Sequence, residues 1–137
     1  MLKKIVSGGQ TGADRAALDF AIANNIPHGG WCPRGRLAED GVIDARYRLT
    51  ETPSSNYTER TEWNVRDSQA TVIFSIRLRL TGGSKKTAQF ARQYGKPWLH
   101  LSVAREGKNA AKSLAAFLTK HRVTVLNVAG PRGSGAV

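Results

Sequence analysis

Three short turns hold the residues best suited to chemistry. They are Ser7-Gly8-Gly9-Gln10-Thr11-Gly12, Thr81-Gly82-Gly83-Ser84 and Ala129-Gly130-Pro131-Arg132-Gly133-Ser134. Each follows a run of residues that reads as a strand. Glycine in such a turn lets the backbone approach a ligand closely, and the first turn of a following helix offers unpaired N–H groups at a positive dipole end. Phosphate or another oxyanion suits both. The competing reading of any one turn is a tight strand-to-helix connection with no ligand.

Arg132, in the Gly-Pro-Arg-Gly turn, is the best-placed cation for a bidentate oxyanion contact, with Arg34 and Arg66 as weaker candidates. Lys85, Lys86 and Thr87 follow the second turn and could meet phosphate, or simply lie on a solvated helix face. Asp14 stands at the opening of the first helix, as a cap or as a hydrogen-bond partner for a ribose or amide. The spacing Thr11 to Asp14 matches the start of a capping box.

Other chemistries find little support. Gln10 occupies the second-glycine place of a dinucleotide fingerprint, and the glycines of Thr81-Gly82-Gly83-Ser84-Lys85-Lys86-Thr87 are adjacent, unlike those of a Walker A loop. Glu39, Asp40 and Asp44 fall in an irregular stretch and need no role beyond solvation. Cys32, the single cysteine, reads as a small core residue. His28, His100 and His121 are scattered, and no serine lies in a G-x-S-x-G elbow, so neither a metal centre nor a nucleophile triad is visible.

The elements that must position these turns alternate. Lys3 to Ser7 reads as a first strand, and Ala13, Ala16, Ala17, Phe20 and Ala21 recur at helical spacing up to Asn24-Asn25. A short second strand is expected within Ile26 to Cys32, interrupted by Gly29-Gly30. Residues 33–55 show turn signals with little period. Asn56 and Glu59 mark a helix start running to about Asp67. Ala70 to Ile76 is a continuous apolar, β-branched run of the kind buried on both faces of a parallel sheet. A helix closed by Gly95, a strand from Trp98 to Val103, a helix capped by Asn109 and a strand from Val123 to Val128 complete the order. We expect one α/β domain over residues 1–137, Rossmann-like, three-layered, with a mostly parallel sheet of about five strands. All three turns then emerge at its carboxyl edge, where open α/β sheets bind ligands.

The totals set the class of partner. With 21 Lys and Arg against 10 Asp and Glu the formal net charge is +11, so anions of some kind are attracted. The basic residues are dispersed and form no arm or block, which favours a small anionic ligand over nucleic acid. One cysteine gives no internal disulfide, and no apolar run is long enough for a signal peptide or a membrane span, so a soluble, cytoplasmic protein is expected.

Ser7-Gly-Gly-Gln-Thr-Gly-Ala-Asp14-Arg-Ala-Ala-Leu-Asp19, Cys32-Pro-Arg-Gly-Arg-Leu-Ala-Glu-Asp-Gly41, Leu49-Thr-Glu-Thr-Pro-Ser-Ser55, Arg60-Thr-Glu-Trp-Asn-Val-Arg-Asp-Ser68, Leu80-Thr-Gly-Gly83 and Asn127-Val-Ala-Gly-Pro-Arg132 together resemble the molybdenum carrier family. That family is similar to circularly permuted members of the SLOG superfamily, Rossmann-like domains related to cytokinin-activating phosphoribohydrolases and bacterial DNA-processing proteins. The resemblance spans nearly the whole chain. It implies a pocket at the Gly-Gly turns and a nucleotide-like or pterin phosphate ligand such as molybdenum cofactor. It also implies homo-oligomers. The phosphoribohydrolase relatives carry a P-G-G-x-G-T-x-x-E signature, whereas here Gly82-Gly83 continues as Ser-Lys-Lys-Thr-Ala-Gln-Phe, with no glutamate. A carrier or binding protein is therefore expected ahead of an N-glycosidic hydrolase, and both ahead of a nucleic-acid-binding module.

Overall fold

The computed structural model describes residues 2–133; Ser134, which ends the third turn, lies outside them. In chain order the elements are β1 (Lys4–Val6), α1 (Ala13–Ala23), β2 (His28–Gly29), β3 (Trp31–Cys32), β4 (Leu37–Ala38), β5 (Gly41–Val42), β6 (Thr50–Glu51) and α2 (Tyr57–Arg66). Then follow β7 (Ala70–Ser75), α3 (Gly82–Gln93), β8 (Trp98–Ser102), α4 (Val103–Glu106), a 3-10 turn (Gly107–Asn109), α5 (Ala110–Lys120) and β9 (Val125–Ala129).

Five strands form one sheet in the order β2-β1-β9-β7-β8, and every pairing is parallel. The apolar run expected to be central is β7, hydrogen-bonded on both sides and buried through Ile73. Alternate sheet residues Ile5, Val72, Leu101, Leu126 and Val128 join Ala21 of α1 and Phe117 of α5 in the main apolar core. Thr71 and Ile73, one step out of phase, face the other way, where α2 and α3 pack on one another. Helices on both faces of a parallel sheet make this a Rossmann-like α/β fold. From β1 the chain winds to one edge and from β7 to the other, and β9 returns between them. That reversal opens a crevice at the carboxyl edge.

Some local expectations are overturned. Thr11 and Asp14 do not make a capping box, for the cap of α1 is Gly12, with no side-chain cap hydrogen bond. Thr11 instead donates to Glu39 and accepts from the Gly133 N–H at 3.0 Å, while Asp14 Oδ2 accepts from Gln10 N at 3.3 Å. Tertiary partners outcompete the local cap. Asn109 precedes α5 but caps nothing with its side chain, because a 3-10 turn already feeds the helix. Residues 33–55 contain an antiparallel pair, β4 with β5, and β6 pairs with β3. Within them Asp40 grips Arg15 through two oxygens, 2.5 and 3.0 Å away, and Asp44 Oδ1 accepts from Arg46 N. These carboxylates therefore do more than solvate, since those of Glu39 and Asp40 fasten the excursion to the first turn and helix. Cys32 is buried in a second apolar cluster with Leu18, Ile43 and Tyr47, as its expected core role requires.

Candidate functional site

The turns after β1, β7 and β9 do converge. Gly12 has φ +82°, and a Cβ there would stand 2.5 Å from the Pro131 carbonyl oxygen. Gly130 lies so close to Ala13 and Phe74 that a Cβ would meet them at 2.6 and 2.9 Å. First and third turns are thus packed on each other. The second is not: nothing lies within 4 Å of a Cβ built on Gly82 or Gly83.

Those two residues open on a cleft of about 600 Å³ whose walls come from the first turn, α2, the β7–α3 loop, α3 and the last turn. Of the residues proposed from sequence, the cleft is lined by Gln10, Asp14, Thr81, Gly82, Gly83, Ser84, Thr87, Gly130 and Arg132. Gly8, Gly9, Thr11 and Gly12 lie off its walls. Gly8 serves a different purpose, since a Cβ there would collide with the Arg60 side chain lying across it. Lys86 lines the cleft and Lys85 does not. Arg34 is away from it, and Arg66 pairs with Asp67 while its guanidinium carbon stacks 4.6 Å from the Trp63 ring centre.

Sequence reasoning missed the α2 wall, whereas the basic run Ile76-Arg77-Leu78-Arg79-Leu80 stands out in the sequence as a feature that alters either the ligand or merely the surface. Tyr57, Arg60, Arg77 and Arg79 all line the cleft. Arg60 and Arg132 both approach the Tyr57 ring, with guanidinium carbons 5.7 and 5.6 Å from its centre. A readable signal for α2 existed. Arg60, Thr61 and Asn64 recur at helical spacing where an ordinary packed helix places apolar residues, and Thr61 and Asn64 are indeed buried. Asn64 braces β3, accepting from Trp31 N at 2.7 Å and donating to Trp31 O at 2.9 Å.

Arg60 is poorly satisfied for a guanidinium so enclosed. Its Nη1 stands 3.6 Å from Asp14 Oδ2, too far for a hydrogen bond, and its Nε is buried without a partner among the described residues. Burial holds its pKa below the usual value, opposed by Asp14 and reinforced by the like charge of Arg132. Burial also pushes Asp14 up to about 6, against the pull of Arg60 and of the backbone N–H groups of Gln10 and Gly8. Gln10 donates through Nε2 to Leu37 O at 2.9 Å, which orients its amide and leaves Oε1 buried and unpartnered.

The start of α3 is the second unsatisfied feature. Its cap, Thr81, makes no side-chain cap hydrogen bond, and no acidic residue occupies its first turn. Among the described residues no group caps the N–H groups of Gly82, Gly83 and Ser84 where they meet the cleft. Around them, among the described residues, the cleft lining carries five cations, Arg60, Arg77, Arg79, Lys86 and Arg132, against one carboxylate, Asp14.

The structure also joins two residues that the sequence kept apart. Ser75, on the cleft wall, has its Oγ 2.5 Å from His100 Nε2 and 2.7 Å from the Arg77 carbonyl. Its one hydroxyl proton goes to the carbonyl, so the imidazole donates to Oγ. The pair is a relay that pins the loop carrying Arg77, not an activated nucleophile. Burial, followed by Arg105, lowers the His100 pKa and keeps that imidazole neutral.

Two predictions follow from this geometry. Gly83→Val is expected to leave far-UV circular dichroism and the urea midpoint nearly unchanged while blocking the cleft. Gly12→Val, strained at positive φ and driven into Pro131, should lower stability by about 2 kcal/mol or more. Equal destabilisation by the two variants would show that Gly83 is packed as Gly12 is. The second concerns pH. An anion beside Asp14 favours its protonated form, so sulfate, whose own charge is constant over this range, should bind more tightly as pH falls through about 6. Calorimetry with wild type and Asp14→Asn checks this, the variant giving a flat profile.

A parallel α/β sheet with a cationic cleft at its topological switch point places the chain in the Rossmann-like class of folds. The sequence matches the circularly permutated YpsA SLOG family over residues 5–137, and the chain belongs to that family. It is similar to a protein from Syntrophus aciditrophicus SB, solved at 1.45 Å and described as a "putative molybdenum carrier protein". The two are 52% identical, the match covers 97% of this chain and 84% of that one, and the TM-score is 0.93. Among curated proteins none is significantly similar.

Proposed function

We propose that the chain is a binding protein or carrier that holds an oxyanion or phosphate-bearing small molecule in this cleft, with no chemistry of its own. One observation carries the proposal: the uncapped start of α3 opens into a cleft where five cations face one carboxylate. An anion there would gain backbone N–H bonds, the helix dipole and charged hydrogen bonds together. The name given to the Syntrophus aciditrophicus relative suggests a molybdenum cargo. Cleft chemistry supports recognition of such a cargo through oxygen, as molybdate or through the phosphate of a molybdenum-bearing cofactor. Among the described residues no group of three or more His, Cys, Asp and Glu is placed to hold a bare metal ion.

An N-glycosidic hydrolase in the same place draws no support from the second turn, since the first turn of α3 has no acidic residue. Nucleic-acid binding rests on net charge and on the likeness of the superfamily to DNA-processing proteins, with no feature of the cleft to favour it. A soluble protein is consistent with the described helices, none of which is long and apolar enough to cross a membrane. Self-association belongs to the same proposal, because β8 is an open sheet edge of five residues. Sedimentation at micromolar concentration tests that part.

Native mass spectrometry of freshly purified protein, followed by calorimetric titration with phosphate, molybdate and AMP, tests the binding function. The expected result is a small anionic adduct, or saturable binding of at least one probe at unit stoichiometry. A bare chain that gives no heat with any of them would overturn it.

A further inference from the structure

This inference rests on the anion-binding reading of the cleft and narrows the ligand. Four of the five cations at the cleft fall into two sets, and the fifth, Lys86, lies on α3. Arg60 and Arg132 flank Tyr57 on one side, and the like charge bearing on Arg60 is that of Arg132. Arg77 and Arg79 belong to the loop between β7 and α3, which leads directly into the uncapped helix start. That loop is anchored at its base, Ile76 O accepting from Ala104 N at 3.1 Å and Arg77 O accepting from Ser75 Oγ. A single phosphate ester carries about −1.5 to −2 charges at neutral pH. One such group can occupy the helix start with Arg60 and Arg132, and it leaves the loop arginines uncompensated.

Two further features point away from a bare ion. A space of about 600 Å³ is of the size that takes a whole organic ligand, and Ile76, Leu80 and Pro131 give part of its wall an apolar character. Gln10, 3% exposed, lines the same cleft with its Oε1 unpartnered. Molybdate has only acceptor atoms at neutral pH and cannot satisfy that oxygen, whereas an N–H or O–H of an organic group can. We infer that the ligand is an organic diphosphate: one phosphate at the start of α3 between Arg60 and Arg132, the other against Arg77 and Arg79, and the organic part toward Gln10.

The test is a calorimetric series in excess EDTA with phosphate, pyrophosphate, AMP and ADP, on wild type and on Arg77→Ala/Arg79→Ala. Both arginines are exposed, so the double variant should fold normally. Pyrophosphate should bind about tenfold or more tightly than phosphate, and ADP about tenfold or more tightly than AMP, the gain of one added charged contact. ADP should also exceed pyrophosphate. In the double variant AMP and ADP should both lose the general attraction of two cleft cations, and the gap between them should close because ADP loses about tenfold or more beyond the loss AMP shows. Equal affinity for AMP and ADP in wild type, or a gap that survives in the double variant, would overturn the diphosphate assignment and leave the anion-binding function standing. ADP no tighter than pyrophosphate would overturn the organic part. Failure of all four probes would instead count against the anion-binding function itself.

Discussion

Arg60→Met is expected to weaken binding of phosphate-bearing probes by about a hundredfold or more, the largest loss from any single side chain of the cleft. Methionine keeps much of the aliphatic stem and removes the guanidinium. The lost interaction is a charge-assisted contact in a shielded place, worth roughly 1.5 to 3 kcal/mol, plus the attraction that Arg60 exerts on any anion at the start of α3. Stability should change less, because the guanidinium is under-partnered in the free protein: its Nε is orphaned and its contact with Asp14 is 3.6 Å long. Asp14 loses its main stabilising charge, so its pKa should climb above about 6 and the pH dependence of binding should move up with it. Gly8→Ala is a companion test, since a Cβ at Gly8 would displace Arg60. It should reproduce much of the binding loss without touching a charge. Calorimetry for affinity and urea melts for stability separate the two effects, and full affinity in Arg60→Met would remove α2 from the site.

Arg132→Ala should cost about ten- to a hundredfold in the same titrations, with little change in urea midpoint. The residue is exposed and its guanidinium lies over the Tyr57 ring, so the folded chain depends on it weakly. Arg132→Lys should recover only part of the affinity, because an ammonium cannot present the planar fork of a guanidinium. Unchanged affinity in the alanine variant would make Arg132 an arginine near a chain end with no part in binding.

Much of the fold was legible because its elements obey simple periods. The run from Ala70 to Ser75 is apolar on both faces, which only a central parallel strand explains, and the alanine stripe of α1 and the stop at Asn24-Asn25 are local signals. The convergence of the three turns followed from topology, since parallel strands deliver their carboxyl ends to one edge. What stayed hidden was set by contacts distant in sequence. Strands of two residues, such as β3 and β6, have no period to read, and they exist because Thr50 N and Thr52 N find Gly30 O and Cys32 O. Thr11 looks like a cap until Glu39, 28 residues away, takes its hydroxyl. Arg60 reads as one more basic residue on a polar helix. Only the folded chain shows that it lies across Gly8, beside Asp14 and facing the same ring as Arg132. Glycines divide the same way: those at 8, 12 and 130 make room for protein atoms, and those at 82 and 83 leave room for something else.

The central claim is that an anion is held at the start of α3. Amide-resolved NMR tests it most directly, by titrating inorganic phosphate and then AMP into ¹⁵N-labelled protein at constant ionic strength. Large, saturating shifts are expected at the N–H groups of Gly82, Gly83 and Ser84, with smaller ones at Gln10 and Asp14, all lost in Arg60→Met. Shifts that fail to saturate and spread over surface lysines such as Lys3, Lys108 and Lys112, with the glycine amides unmoved, would contradict it.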